Sequence, residues 1–314
     1  MQASEIFEVL NRHVFDEEKS YLINNVTDNY ARFVGIFRST TPRLKIIQNL
    51  LQSREIRFGD ALEEIIGNII ADMGYINLEK NLAAEDGKRK RLNCDQYFST
   101  ADFSQFFLVE QKVRDDHDSS KKSGQIENFE RKLAILYKRH GSKLTGVMYF
   151  IDPSLAKNRR YYLDELSTTI HPKYNIDLWL CYNGELFEKL GRPAAWSTLE
   201  QALIEWRDTV RQDINLNYDL EPEATVAETQ SVTLSTWLSF AKNDLLWTNG
   251  VVKCLFPTGE GLQAITIDLE RRFEKVLTER KQRKAFELTV NLLKHRLREY
   301  YNLDLPSNRQ QSSL

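Results

Sequence analysis

The sequence predicts an α/β protein in which a small mixed sheet is flanked by helices, with further helices at both ends. Three observations predict it. Apolar residues recur at helical spacing early in the chain, at Ile6, Leu10 and Val14 and again at Leu44, Ile47 and Leu51. Short apolar runs of strand length then alternate with helical stretches between residues 92 and 190. Helical spacing returns over residues 232–300.

Taken in order, residues 1–56 read as helices. The second is opened by Thr40-Thr41-Pro42, with proline in the first turn, where a missing N–H leaves no bond unmade. Residues 58–75 (FGDALEEIIGNIIADMGY) read as a separate amphipathic helix. Leu62, Ile65, Ile66, Ile69 and Met73 fill one face, with Asp60 as N-cap and Gly74 as stop. Residues 92–98 and 106–114 read as strands joined through a turn-like 100–105. Ile126, Phe129, Leu133 and Leu136 mark a helix over 125–139. GVMYFI (146–151) reads as a buried strand ended by Asp152-Pro153. IDLWLCY (176–182) reads as another, with Asn183-Gly184 as a hairpin turn into a strand over 186–190. The acidic stretch 212–231 has little periodicity. The expected division is therefore an N-terminal helical region (1–56), a core (57–211), a linker or loop (212–231) and a C-terminal helical region (232–314) whose tail after Pro306 frays.

The formal net charge is −2, so any positive charge that meets nucleic acid has to be local. Cys94, Cys181 and Cys254 are widely spaced and form no CxxC pair, which argues against structural zinc and suits a reducing compartment. The opening MQASEIFEVLNRH has no apolar core of a signal peptide, and no apolar run is long enough for a membrane span. A cytoplasmic protein with no membrane partner is expected. GxxxxGK[ST] is absent, which excludes a P-loop motor, and so are GxSxG and HExxH.

One stretch carries chemistry: NCDQYFSTADFSQFFLVEQKVRDDHD. Asp95 sits near the start of one expected strand. Glu110 and Lys112 lie on the next, one residue apart, so alternation points both to one face and Val109 and Val113 to the other. A hairpin brings Asp95 beside them. Two carboxylates can hold a divalent cation that neutralises a phosphodiester, and a lysine beside the attacking water can stabilise the growing negative charge. The Gln111 carbonyl, between the two, is a further candidate ligand. The bare [DE]-x-K pattern is weak, since it also occurs at Glu17/Lys19, Asp86/Lys88, Glu130/Lys132 and Glu279/Lys281. Only Glu110/Lys112 follows an apolar run (Phe106 to Val109) with an aspartate on the preceding strand. From spacing alone the pair is equally a surface salt bridge on an edge strand.

The segment Asp95-x14-Glu110-Gln111-Lys112 resembles the PD-(D/E)xK nuclease signature, with Cys94 where that signature has proline. The preceding LEEIIGNIIADMGY resembles the helix before the motif in many such nucleases, which often supplies another acid; Glu63 or Glu64 matches it. The block EQKVRDDHDSSKKSGQIENFERK resembles type II restriction endonucleases of that superfamily, and the resemblance covers roughly residues 58–152. It implies a restriction-endonuclease-like core and Mg²⁺-dependent, site-specific hydrolysis of double-stranded DNA. Asp95, Glu110, Gln111 and Glu63 would be metal ligands and Lys112 the catalytic amine. It also implies a homodimer and a cognate DNA methyltransferase as functional partner. A structure-specific repair or recombination nuclease and a non-catalytic DNA-binding protein are the alternatives.

Candidate DNA contacts surround the motif. Arg114-Asp115-Asp116-His117-Asp118 forms a charged loop after the catalytic strand, either solvated or turned to DNA and metal. Lys121, Lys122, Gln125 and Asn128 lead into the next helix, where such groups bind phosphate or base edges or simply face water. Lys88-Arg89-Lys90-Arg91 is a basic run suited to phosphates or to a solvated turn. Residues 271–298 hold a local excess of lysine and arginine, readable as a DNA-clasping helix or as a solvated face above a subunit interface.

Overall fold

The computed structural model describes residues 1–35, 37, 39–82, 92–116, 118–210, 214–276 and 280–305. The basic run Lys88-Arg89-Lys90-Arg91, His117, the start of the 212–231 stretch and the tail from Pro306 lie outside the described residues. In chain order the elements are α1 (Ala3–Phe15), α2 (Glu18–Asp28), α3 (Pro42–Asp72), β1 (Ile76–Asn77), β2 (Asn81–Leu82), β3 (Leu92–Asn93), β4 (Gln96–Ser99) and β5 (Phe106–Lys112). Then follow α4 (Ser119–His140), β6 (Leu144–Phe150), α5 (Arg159–Glu165), α6 (His171–Tyr174), β7 (Asp177–Tyr182), α7 (Glu185–Lys189) and α8 (Pro193–Thr209). The remainder is helical: α9 (Pro222–Glu228), α10 (Leu234–Lys242), α11 (Asp244–Thr248), α12 (Val251–Leu255), α13 (Glu260–Val276) and α14 (Arg280–Tyr301). Two compact units divide the chain. One comprises Met1–His13 and Ile56–Val210, the other Val14–Glu55 and Arg211–Leu314.

The first unit contains the sheet. Its strand order is β1-β4-β5-β6-β7, with β4 antiparallel to β1 and β5, and β5, β6 and β7 mutually parallel in sequence. The expected mixed sheet flanked by helices is what forms. α4 makes the crossover between β5 and β6, and Phe129, Leu133 and Leu136 on it share a core with Leu108, Leu144 and Met148 of the strands. Asp118 caps α4 by accepting the Lys121 N–H at 2.9 Å. In the second unit Leu22, Trp237, Phe240, Trp247, Leu262 and Leu293 belong to a separate core.

Four local expectations are corrected. The helix at 58–75 does not start at Asp60, since α3 runs unbroken for 31 residues. Ile46 and Leu50 in its first part are buried in the core of the second unit, and Leu62, Ile65 and Ile66 are buried in the part that belongs to the first. Gly74 does end the helical run, at φ 94°. The strand expected over 92–98 is two pieces: β3 pairs with β2, and only β4 joins the main sheet. The β4–β5 ladder stops at Gln96 opposite Val109, and the Asp95 carboxylate then takes the Gln111 N–H at 2.7 Å. Asn183-Gly184 is not a hairpin turn. Asn183 takes φ 44°, Glu185 Oε2 accepts the Tyr182 N–H, and the chain enters α7, where Leu186, Phe187 and Leu190 are buried at helical spacing. The acidic 212–231 stretch holds α9 and is tied down by Asp219, whose carboxylate accepts from the N–H groups of Thr258 (2.6 Å), Gly259 (2.9 Å) and Gly261 (2.7 Å).

Gly146 sets how closely α4 lies on the sheet. A Cβ there would come within 2.8 Å of Leu133 Cδ1 and 3.0 Å of both Phe129 Cζ and Leu178 Cδ2. Gly146→Ala is expected to cost roughly 1–3 kcal/mol of stability in urea unfolding. An unchanged midpoint would contradict this packing.

Candidate active site

β5 is the central strand of the sheet, and its side chains alternate so that Leu108, Glu110 and Lys112 lie on the face covered by α4. This removes the edge-strand reading of the pair. The Glu110 side chain is only 1 % exposed, and a carboxylate so placed needs cationic partners. It has two. Lys112 Nζ lies 2.9 Å from Glu110 Oε1, and Lys132 Nζ, from α4, lies 2.5 Å from Oε2. Asn128 Nδ2 adds a longer hydrogen bond to Oε1, at 3.3 Å.

Asp95 stands at the end of the β4–β5 ladder and completes the group. Its Oδ2 lies 2.9 Å from Lys112 Nζ, and its Oδ1 3.9 Å from Lys132 Nζ. Lys112 Nζ also donates to the Gln111 carbonyl at 2.7 Å. Three oxygens, from Asp95, Glu110 and the Gln111 backbone, therefore converge on one point that a lysine nitrogen occupies. Burial acts to lower the Lys112 pKa, but the carboxylates of Glu110 and Asp95 more than offset it and hold Lys112 above the ordinary lysine range. Lys112 is thus a fixed cation here, suited to stabilising negative charge rather than to taking a proton. Burial pushes the Cys94 thiol up to about 12, which leaves no thiolate at neutral pH beside the group.

A cavity of about 400 Å³ opens onto these side chains. It is lined by Asp95, Glu110, Lys112, Lys121, Gly124, Gln125, Asn128 and Lys132. The α4 residues follow the helical stripe 121, 125, 128, 132, and an added Cβ at Gly124 would meet nothing within 4 Å. The structure thus brings Lys121, Gln125 and Asn128 to the same cavity as Asp95, Glu110 and Lys112.

Other expected residues lie elsewhere. Glu63 is on α3, where burial raises its pKa although Lys80, 2.8 Å away, pulls it down; it does not line the cavity. Glu64 turns to Arg12 and His13 instead. Gln111 contributes its carbonyl, while its side chain accepts from Gln96 Nε2 at 3.3 Å. Lys122 Nζ lies over the Tyr161 ring, 4.3 Å from its centroid. Arg114 lines a different cavity of about 520 Å³, with Trp196 and Trp206, and approaches Asp152 at 4.0 Å. Lys88 and Arg89 lie outside the described residues. The loop after β5 is not a free charged loop: Asp115 is fully buried and accepts from Asn158 N, Asn158 Nδ2 and Tyr182 Oη at 2.7–2.8 Å. On the C-terminal helices, Arg272, Arg283, Lys294, Arg296 and Arg298 each pair with an acid, which lowers the charge they offer to a phosphate.

Lys132 was missed from sequence because it read as one more helical [DE]-x-K match. The available signal was its position inside the buried stripe Phe129, Leu133 and Leu136, where an unpaired lysine would be costly. Among the described residues no group of three or more His, Cys, Asp or Glu side chains is placed to hold a metal ion. A cation here would have two carboxylates, a carbonyl and water, which is a donor set that suits Mg²⁺.

The family model described as "Type II restriction endonuclease, HinfI" matches residues 2–84 and 75–207, more than half of the chain. No curated protein and no solved structure matches. No helix among the described residues is long and apolar enough to cross a membrane.

Removing Lys132 strips the buried Glu110 of its shortest ion pair. Lys132→Met is expected to lose roughly 3–5 kcal/mol in urea unfolding, and adding Glu110→Gln should restore most of it. Additive losses in the double variant would contradict the coupling.

Proposed function

The chain belongs to the HinfI family of type II restriction endonucleases, and on that premise we propose that it cuts double-stranded DNA at a specific short sequence by Mg²⁺-dependent hydrolysis, with Asp95, Glu110 and Lys112 as its catalytic core. The observation that carries this reading is the convergence of Asp95 Oδ2, Glu110 Oε1 and the Gln111 carbonyl within 2.7–2.9 Å of Lys112 Nζ. These oxygens already solvate one cation and are the hard donors that Mg²⁺ prefers. A bound Mg²⁺ would neutralise the scissile phosphate and polarise its oxygen.

The protein's own groups then divide the work. Asp95, Glu110 and the Gln111 carbonyl would hold the ion. Lys112, displaced from that point, keeps its charge and orients the attacking water, stabilising negative charge as in-line displacement leaves 5′-phosphate and 3′-hydroxyl ends. Lys132 fixes the second oxygen of Glu110. Lys121, Gln125 and Asn128 line the cavity from α4 and meet phosphates and base edges. Glu63 acts behind Asp95 through its charge rather than as a first ligand. Arg114 and Lys122, whose side chains face other partners, serve DNA indirectly by shaping the loop before α4. A homodimer places one such site on each strand of a symmetric sequence. A cognate DNA methyltransferase protects host DNA.

Incubating purified protein with plasmid and Mg²⁺ should give discrete fragments that chelation abolishes. A smear, or no cutting with Mg²⁺ or Mn²⁺, would sink the reading. Asp95→Ala and Lys112→Ala should each slow cleavage by about 10²–10³-fold while retaining DNA binding. Calorimetry with Ca²⁺ separates their roles. Lys112→Ala should bind the ion more tightly than wild type, because a competing cation is gone, and Asp95→Ala more weakly. Tighter binding by Asp95→Ala would contradict its role as ligand.

A further inference from the structure

We infer that this site holds a single divalent cation, because Lys132 permanently occupies the carboxylate edge that a second ion would need. The inference rests on the metal-dependent reading above. Two-metal phosphodiester sites place their ions roughly 3.5–4 Å apart, which requires carboxylate oxygens facing both. Here the two acids share their oxygens between two lysines. Oδ2 of Asp95 and Oε1 of Glu110 meet at Lys112, at 2.9 Å each. Oδ1 of Asp95 and Oε2 of Glu110 face Lys132, at 3.9 and 2.5 Å.

The two lysines differ in how easily they leave. The Lys112 side chain is 28 % exposed, reaches the cavity from the end of β5 and can swing toward solvent. The Lys132 side chain is 4 % exposed, at the back of the same cavity, and is held at 2.5 Å by the buried Glu110 Oε2. One edge of the carboxylate pair can therefore exchange an ammonium for a metal ion, and the other cannot. Charge points the same way. The two carboxylates balance the two lysines. With one divalent ion in place, the two carboxylates, the ion, Lys112 and Lys132 together carry two positive charges, one of which a phosphodiester offsets. A second divalent ion would add two more charges, and the cavity lining holds no carboxylate besides Asp95 and Glu110 to receive it.

Electron paramagnetic resonance of the wild-type chain titrated with Mn²⁺ tests this without reference to cleavage. The expected result is saturation at one bound ion per chain with the hyperfine pattern of an isolated Mn²⁺. Lys132→Gln, which retains a hydrogen-bond donor to Glu110, should take up a second ion and show an exchange-coupled signal. A coupled pair in the wild type would overturn the single-ion inference and leave the nuclease reading standing. No bound Mn²⁺ at all would overturn the metal reading itself. A folded Lys132→Gln that still binds one ion would overturn the role of Lys132, and the wild-type stoichiometry decides the matter if that variant does not fold.

Discussion

A carboxylate buried behind the central strand of a sheet has to be neutralised, and much of this site follows from that requirement. Moving an unpaired carboxylate out of water costs several kcal/mol even after relaxation. Glu110 meets it with Lys112 from its own strand and Lys132 from the crossover helix. The second of these needs α4 close to β5 and β6, and Gly146 permits that approach. The same closeness brings the stripe from Lys121 to Lys132 over the cavity. The position of the helix, the burial of the acid and the lining of the cleft are one arrangement.

The second constraint is the end of a ladder. β4 stops pairing with β5 at Gln96, and Asp95 uses its side chain where a backbone carbonyl would otherwise serve. A carboxylate held by a main-chain N–H has little rotational freedom, so the same oxygen, Oδ2, is aimed at Lys112. The interruption that splits the expected 92–98 strand is thus what fixes the first acid of the motif. Asp115 plays a comparable part beyond β5. Its bonds to Asn158 and Tyr182 hold the loop that leads to the capped start of α4.

Much of the sheet was legible because its strands are short apolar runs, and β5, β6 and β7 lie where periodicity and turn residues put them. Asp95, Glu110 and Lys112 were legible for a different reason: charged residues next to an apolar run have few explanations. What sequence could not supply was context over distance. Lys132 is ordinary on a helix until a strand places a carboxylate under it. Glu63 looks like a ligand until Lys80 is seen beside it. Asn183-Gly184 favours a hairpin locally, but a parallel edge strand leads into a helix. Of the charge excess at 271–298, Arg272, Arg283, Lys294, Arg296 and Arg298 have acids at pairing distance on α13, α11, α14 and just past it, which no local pattern shows.

The account turns on a cation position shared by two carboxylates and a backbone carbonyl. Crystals soaked in Mn²⁺ and measured at its absorption edge would locate the ion directly by anomalous scattering. The account predicts one peak, at metal–oxygen distance (about 2.1 Å) from Asp95, Glu110 and the Gln111 carbonyl, with Lys112 displaced from that point. A peak elsewhere in the cleft, or Lys112 still seated among those oxygens at saturating metal, would contradict it.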